Sequence, residues 1–127
     1  MNCITRKIYY HHTDAGGVVY YARYLDFFEE GRTEFLRKKG VEVRECLKEG
    51  VAFAVARAEV DYKRPARYGD DISIFTRIED VRKASIIFFQ EIKIGDTALA
   101  IATIVLACIG SDFKVRAIPE EMKQALS

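Results

Sequence analysis

From about Tyr21 to Lys39 the apolar residues Tyr21, Tyr24, Leu25, Phe28, Phe35 and Leu36 recur near a period of 3.6, which predicts a long amphipathic helix. Its acids (Asp26, Glu29, Glu30, Glu34) precede its bases (Arg37, Lys38, Lys39). That order complements the helix macrodipole, and Gly40 can end the helix in the left-handed conformation. At roughly 1.5 Å per residue the helix spans close to ~30 Å, about the width of a small domain, so it is expected to be the central element. Ahead of it, residues 3 to 10 (CITRKIYY) are β-branched and aromatic, with Ile4, Ile8 and Tyr10 on one parity, and predict a first strand. Behind it, a short helix over Val43 to Lys48 stops before Gly50. Four strands then follow at about 51 to 62, 71 to 82, 84 to 94 and 97 to 109, broken by Arg64 to Asp70 and by turns such as Gly95-Asp96. Pro119 suits the first position of a terminal helix.

Small residues mark the strand faces. Ala52, Ala54, Ala56 and Ala58 fall on one parity and Ala98, Ala100 and Ala102 on another. They leave room for the aromatic helix, or for a pocket beside it. The run 98 to 109 (ALAIATIVLACI) is too short for a membrane-spanning helix and rich in β-branched residues, as a strand buried mid-sheet would be. One strand, a long helix and four antiparallel strands make an α+β domain with a helix against one curved sheet.

Composition narrows the function. The 127 residues, 50% of them hydrophobic, can build one core, so one domain is expected over 1 to 127. Lysine and arginine number 20 against 19 acidic residues, leaving no global basic field for nucleic acid or an anionic membrane. The N-terminus lacks the apolar core of a signal peptide, so a cytoplasmic location is expected. Cys3, Cys46 and Cys108 are far apart and read as reduced thiols without a disulfide framework. The adjacent His11 and His12 do not form the spaced ligand set of a zinc site, so no metal is expected. Nothing places a base beside Cys46 to make it a nucleophile.

Asp14 is the only carboxylate in a loop, His11 to Gly17, that leads directly into the long helix. Its glycines permit close approach of a substrate to the backbone, and a helix N-terminus offers unpaired N–H groups to a developing oxyanion. Together these suit acyl transfer. Read from the residues alone, Asp before a glycine pair more commonly supplies turn or capping hydrogen bonds.

A resemblance changes the weighing. The stretch His12-Thr13-Asp14-Ala15-Gly16-Gly17-Val18-Val19-Tyr20-Tyr21-Ala22-Arg23-Tyr24, with Phe27 to Leu36 after it, is similar to the opening motif of the 4-hydroxybenzoyl-CoA thioesterase group of hot-dog proteins. It most resembles the acyl-CoA thioesterases associated with the bacterial Tol-Pal system. The likeness runs on through Asp61 to Asp70 and Arg116 to Pro119, nearly the whole chain. It implies the hot-dog fold, a curved antiparallel sheet wrapped around the long helix, in homodimers that join their sheets side by side and often pair into homotetramers. It also implies hydrolysis of an acyl-CoA, with CoA part of the substrate and no cofactor. Asp14 falls on the family's catalytic aspartate, either nucleophile or general base, and the Tyr21 backbone N–H on the donor to the thioester oxygen. Tol-Pal relatives usually carry histidine where this chain has Tyr21. A backbone donor survives that exchange and an imidazole acid or base does not, so the Tyr21 ring is expected to pack on the apolar helix face. His12 stands where many relatives have an acid and is expected to be an ordinary loop histidine.

By the same likeness Arg82, Lys83 and Ser85 fall on the CoA-contacting stretch, where two cations and a hydroxyl would meet phosphate. A charged hairpin turn explains the same residues. Arg64, Arg67 and Arg116 are further cations. A hot-dog hydratase or dehydratase would need a histidine with a carboxylate in a helix motif, whereas His11 and His12 lie in the loop. A non-catalytic acyl-CoA sensor or scaffold would keep the fold and the pocket without turnover; such a sensor usually carries a separate DNA-binding segment, for which 127 residues leave no space. The alanine faces with Tyr21, Phe28 and Phe53 suit a fatty or an aromatic acyl group without choosing between them.

Overall fold

Strand β1 (Asn2–Lys7) alternates half-buried and exposed side chains, and the computed structural model describes residues 2 to 127. After a single 3-10 turn at Tyr10–His12 come α1 (Arg23–Lys38), α2 (Val43–Lys48), β2 (Ala52–Tyr62), β3 (Asp71–Val81), β4 (Ser85–Ile94), β5 (Thr97–Ile109) and α3 (Glu120–Leu126). The five strands form one sheet in the order β1-β3-β4-β5-β2, every pair antiparallel. The chain leaves β1 at one edge, crosses the face as α1 and returns as β2 at the other edge. This is the expected α+β arrangement of a long helix on an antiparallel sheet.

The helix-facing side of the sheet carries Ile72, Ile74 and Thr76, then Ile86, Phe88, Gln90 and Ile92, then Ala100, Ala102 and Ile104, all fully or almost fully buried. Alternation at period 2 puts these residues on one face, and the helix answers with Tyr24, Phe27, Phe28, Gly31, Arg32, Phe35 and Leu36. Phe35 meets Phe88 edge-on at 5.9 Å between ring centroids. At the closest approach there is no room for a side chain: a Cβ on Gly31 would lie 2.8 Å from Ile74 Cγ2, 2.8 Å from Thr76 Oγ1 and 3.0 Å from Gln90 Nε2. At the helix end, Gly40 has φ +84°, and the following Val41 N–H reaches back to the Leu36 carbonyl at 2.8 Å.

Several expectations need correction. Strand β1 stops at Lys7, and Tyr10 is exposed, because the backbone turns into the 3-10 segment after buried Ile8. Tyr21 and Ala22 precede α1; Leu25 points outward, and Phe27 takes the buried place instead. The alanines do not share faces as strict alternation predicts. Ala56 is an extra residue between the pairs Val55↔Leu106 and Arg57↔Val105, so Ala52 and Ala54 lie opposite the outward-facing Ile109 and Ala107, while Ala58 lies opposite buried Ile104. Likewise Leu99 is unopposed between Ile92↔Ala100 and Lys93↔Ala98, which separates Ala98 from Ala100 and Ala102. One inserted residue flips every side chain beyond it. Pro119 is the residue before α3 rather than its first. None of the described helices is long and apolar enough to cross a membrane.

Replacing Gly31 by alanine tests the helix–sheet contact. Alanine gains about 1 kcal/mol of helix propensity, but overpacking a filled core costs roughly 1–3 kcal/mol. Gly31→Ala should therefore lower the urea midpoint without altering the denaturant slope.

Candidate active site

The loop from His11 to Tyr20 is held by its own backbone. Thr13 bridges Val19, the Asp14 N–H donates to the Val18 carbonyl at 2.9 Å, and the Gly17 N–H donates to the Asp14 carbonyl at 3.1 Å. The Asp14 carboxylate accepts the Gly16 N–H at 2.8 Å through Oδ1, the turn bond expected of Asp near glycine. Its other oxygen remains available, and the side chain is exposed. Gly17 has φ +80°, a conformation that favours glycine. The loop is strapped to the segment before β3 by the Val18–Arg67 bridge and by the Val19 N–H on the Ala66 carbonyl at 2.8 Å. At its end the Tyr20 N–H donates to the His12 carbonyl at 3.0 Å, so the turn carrying Asp14 and the start of α1 are tied together.

Beyond that tie, the N–H groups of Tyr21 and Ala22 have no acceptor among the described residues, and no side chain caps the helix. They are the unspent donors of a helix N-terminus. The Tyr21 carbonyl is fixed instead, accepting the Tyr62 hydroxyl at 3.1 Å. Tyr24, buried beneath, accepts the Ala66 N–H at 3.0 Å through its hydroxyl, and burial raises its pKa. Tyr21 does not pack on the apolar face of the helix as expected. It is 62% exposed and stands against Tyr20 and edge-on to Tyr62. Beside it opens a cavity of about 240 Å³ lined by Val19, Tyr21, Tyr24, Tyr62, Lys63 and Arg64. Asp14 is not among its lining residues. All seven tyrosines of the chain lie in residues 9 to 24 and 62 to 68, which meet at this end of the sheet. That clustering was visible in the sequence, but only the fold shows Tyr62 and Tyr24 joining one site.

His12 is built into the loop as an acceptor. Its Nδ1 takes the Tyr9 N–H at 2.9 Å, so the neutral ring carries its proton on Nε2, and the ring sits edge-on to Phe27 at 5.0 Å. Burial, then the neighbouring His11 and Arg23, hold its pKa below the usual histidine value.

Arg82, Lys83 and Ser85 lie elsewhere in the chain. Strand β3 begins beside the Asp14 loop, where Ile8 and Asp70 share a hydrogen bond, and ends at the turn carrying these residues. Ten residue steps at about 3.3 Å put the two ends roughly 33 Å apart. Arg82 pairs with Asp80 at 3.2 Å, whereas Lys83 has no ion pair among the described residues. Arg64 and Arg67 are at the Asp14 end, and Arg116 is at the far one, its N–H bonded to the Cys108 carbonyl. No group of three or more metal-binding side chains occurs among the described residues.

Comparison with known proteins gives this geometry a context. The family model of the thioesterase-like superfamily matches residues 10 to 126. The chain is 40% identical over 121 residues to the acyl-CoA thioesterase YbgC of Haemophilus influenzae, covering 94% of this chain and 89% of that protein. It is 39% identical over 118 residues to the acyl-CoA thioester hydrolase YbgC of Escherichia coli O6:H1, covering 91% and 88%. A crystal structure of a hypothetical protein from Aquifex aeolicus superimposes with a TM-score of 0.94 at 28% identity, covering 100% of both chains.

The His12 environment predicts acid sensitivity. Its folded pKa is depressed, so the unfolded chain binds this proton more readily, and stability is fully present above the unfolded value of about 6.5 and lost as pH falls. His12→Asn, which keeps an acceptor for Tyr9, should lose less stability than the parent between about pH 7 and pH 5. Urea midpoints at the two pH values measure the difference.

Proposed function

Because this chain belongs to the thioesterase-like superfamily, we propose that it is an acyl-CoA thioesterase, with Asp14 as its working carboxylate and the Tyr21 N–H as donor to the thioester oxygen. The observation that carries the reading is the unspent N–H groups at the start of α1, tied to the Asp14 turn through the Tyr20–His12 bond. When the thioester carbon is attacked, its oxygen becomes an anion. Fixed N–H donors at the positive end of a helix stabilise that charge without reorganising.

Two routes use the same groups. In the first, an Asp14 oxygen attacks the carbonyl carbon, CoA thiolate leaves, and water then opens the mixed anhydride to restore Asp14 and release the acid. In the second, Asp14 accepts a proton from the water that attacks, and the thiolate leaves as the tetrahedral intermediate collapses. Both consume one water and yield one acid and one thiol. A burst of thiol release at high enzyme concentration marks the anhydride route whenever its hydrolysis is the slower step.

Arg82, Lys83 and Ser85 enter the reading only through a second copy, since in one chain the length of β3, roughly 33 Å, separates their turn from the end of the sheet beside the Asp14 loop. Strand β2 is an edge strand with β5 on one side only. A two-fold axis that pairs β2 with its copy makes the strands antiparallel and reverses their ends. The partner's 82 to 85 turn then comes to the end of the sheet where this chain has Asp14. A homodimer, alone or within a homotetramer, thereby unites carboxylate and phosphate-binding cations.

Asp14→Asn should keep its fold by circular dichroism and lose roughly 10²- to 10⁴-fold in turnover, the usual scale for a positioned acid or base. Near-normal thiol release from the folded variant would sink the proposal, and a panel of fatty and aromatic acyl-CoA esters identifies the acyl group. Replacing Arg82 and Lys83 together by alanine should raise KM several-fold for CoA esters with little change in kcat, the signature of lost uniform binding. A pantetheine thioester, lacking the nucleotide phosphates, should be spared. Equal losses on both substrates would contradict the phosphate role.

A further inference from the structure

Among the described residues, β1 covers β3 only as far as the pair Asn2↔Thr76, and α1 stops at Lys38 before Gly40 turns the chain away. Ile78, the next residue of β3 on the helix-facing side, is therefore only half-buried. Over it opens a cavity of about 540 Å³, with Phe35, Lys38 and Lys39 of α1 on one side, Leu126 of α3 on the other, and Thr76 and Ile78 beneath. Its volume lies within the range of small-molecule sites, roughly 300–1,000 Å³.

The lining is apolar at depth and cationic at the helix end. Phe35, Thr76 and Leu126 are buried, whereas Lys38 and Lys39 are exposed, and no acidic side chain takes part. Arg37 spends its charge on Glu34 and Glu42, but the ion pairs of the described residues include neither lysine. Lys38 Nζ donates to the neutral Asn2 Oδ1 at 2.8 Å, and Lys39 Nζ stands 5.8 Å from the centre of the Phe35 ring. Arg77 also borders the cavity, with its guanidinium turned to the other face of the sheet, over the Phe89 ring at 4.5 Å. The negative pole of α1 does not cancel the two lysines, because the Phe35, Leu36 and Arg37 carbonyls are taken up by the N–H groups of Lys39, Gly40 and Val41.

We propose that this cavity binds a single-chain carboxylate, its head on Lys38 and Lys39 and its alkyl chain over Ile78 between Phe35 and Leu126. An ammonium pair without a counter-ion selects an anionic head, and the apolar walls select a tail over a small inorganic anion. At about 30 Å³ per water the cavity has the volume of roughly eighteen waters, so an acid of about eight to twelve carbons fills most of it. The site is distinct from the Asp14 loop, since the 16 residues of α1 place the two about 24 Å apart along the helix. It also lies by β1, at the opposite edge of the sheet from β2, and stays open when β2 is paired. Binding here is independent of whether the chain hydrolyses thioesters.

The test titrates decanoate, below the concentration at which it forms micelles, into the full chain by calorimetry and by NMR. Saturable binding is expected, with NOEs from the decanoate chain to the Ile78 and Leu126 methyl groups. Replacing Lys38 and Lys39 together by glutamine keeps helix-forming side chains on an exposed face and should weaken binding roughly two- to thirtyfold, the range for two exposed charge contacts. Decyltrimethylammonium, with the same tail and the opposite charge, should bind more weakly than decanoate. Absence of saturable binding overturns the proposal, as do NOEs confined to Val19 and Tyr21 at the Asp14 end of the molecule. Equal affinity in the folded double variant, or equal affinity for the ammonium, overturns it as well.

Discussion

Gly31 lets helix α1 lie directly on the sheet, and the rest of the molecule is positioned by that contact. Gln90 locks it. Its Nε2 donates to the Phe28 carbonyl and to the Thr76 hydroxyl, both at 2.9 Å, and its Oε1 accepts from Arg32. The orientation of the amide is forced, since a carbonyl can only accept and a guanidinium only donate. One side chain thus ties the helix backbone, a helix cation and the neighbouring strand. Removing it would leave buried Arg32 without its bond, a far costlier loss than an ordinary hydrogen bond, which contributes about 0.5–1.5 kcal/mol.

With the helix fixed in this way, its two ends acquire different chemistry. The C-terminal end spends its carbonyls in the turn at Gly40 and Val41 and gathers Arg37, Lys38 and Lys39 against the negative pole. At the N-terminal end Arg23 pairs with Asp26 at 3.3 Å, and no side chain caps the free N–H groups. Good caps such as Ser or Asp typically contribute about 1 kcal/mol. Ala22 forgoes that stabilisation, and the donors stay open to a ligand. The Asp14 turn does the opposite, satisfying its own backbone and one carboxylate oxygen internally, so that it can be exposed and still rigid.

Elements defined by a strong period could be read from the sequence. The Phe and Leu stripe of α1 and the alternating strands β3 to β5 lie within a residue or two of their expected bounds, as does α2. Reading failed where a single residue broke the period. The extra Ala56 and the unopposed Leu99 invert the alanine faces, and no local feature distinguishes a bulged alanine from a paired one. Gln90 carried a signal that went unused, being the one polar residue in the parity Ile86, Phe88, Gln90, Ile92. The Asp14 loop stood out through its glycines and its place before a helix. Tyr62 and Ala66 did not, because their link to the loop spans more than forty residues and exists only in the folded chain.

The same geometry explains why the candidate site looks open in one chain. Asp14 is exposed, the cavity near Tyr21 is small, and β2 presents an 11-residue edge whose outward backbone groups have no strand to meet. An edge of that length invites another strand, and few charges on it oppose pairing: within β2 Arg57 is matched internally by Glu59. A two-fold related copy would cover the edge with β structure and bring the far end of its own sheet beside Tyr62 and Tyr21. The first half of β2 would then face the second half of the partner's β2. In that arrangement each end of the paired strands holds an unspent cation from one chain and unspent N–H donors from the other. Completing the edge and completing the site would then be the same event.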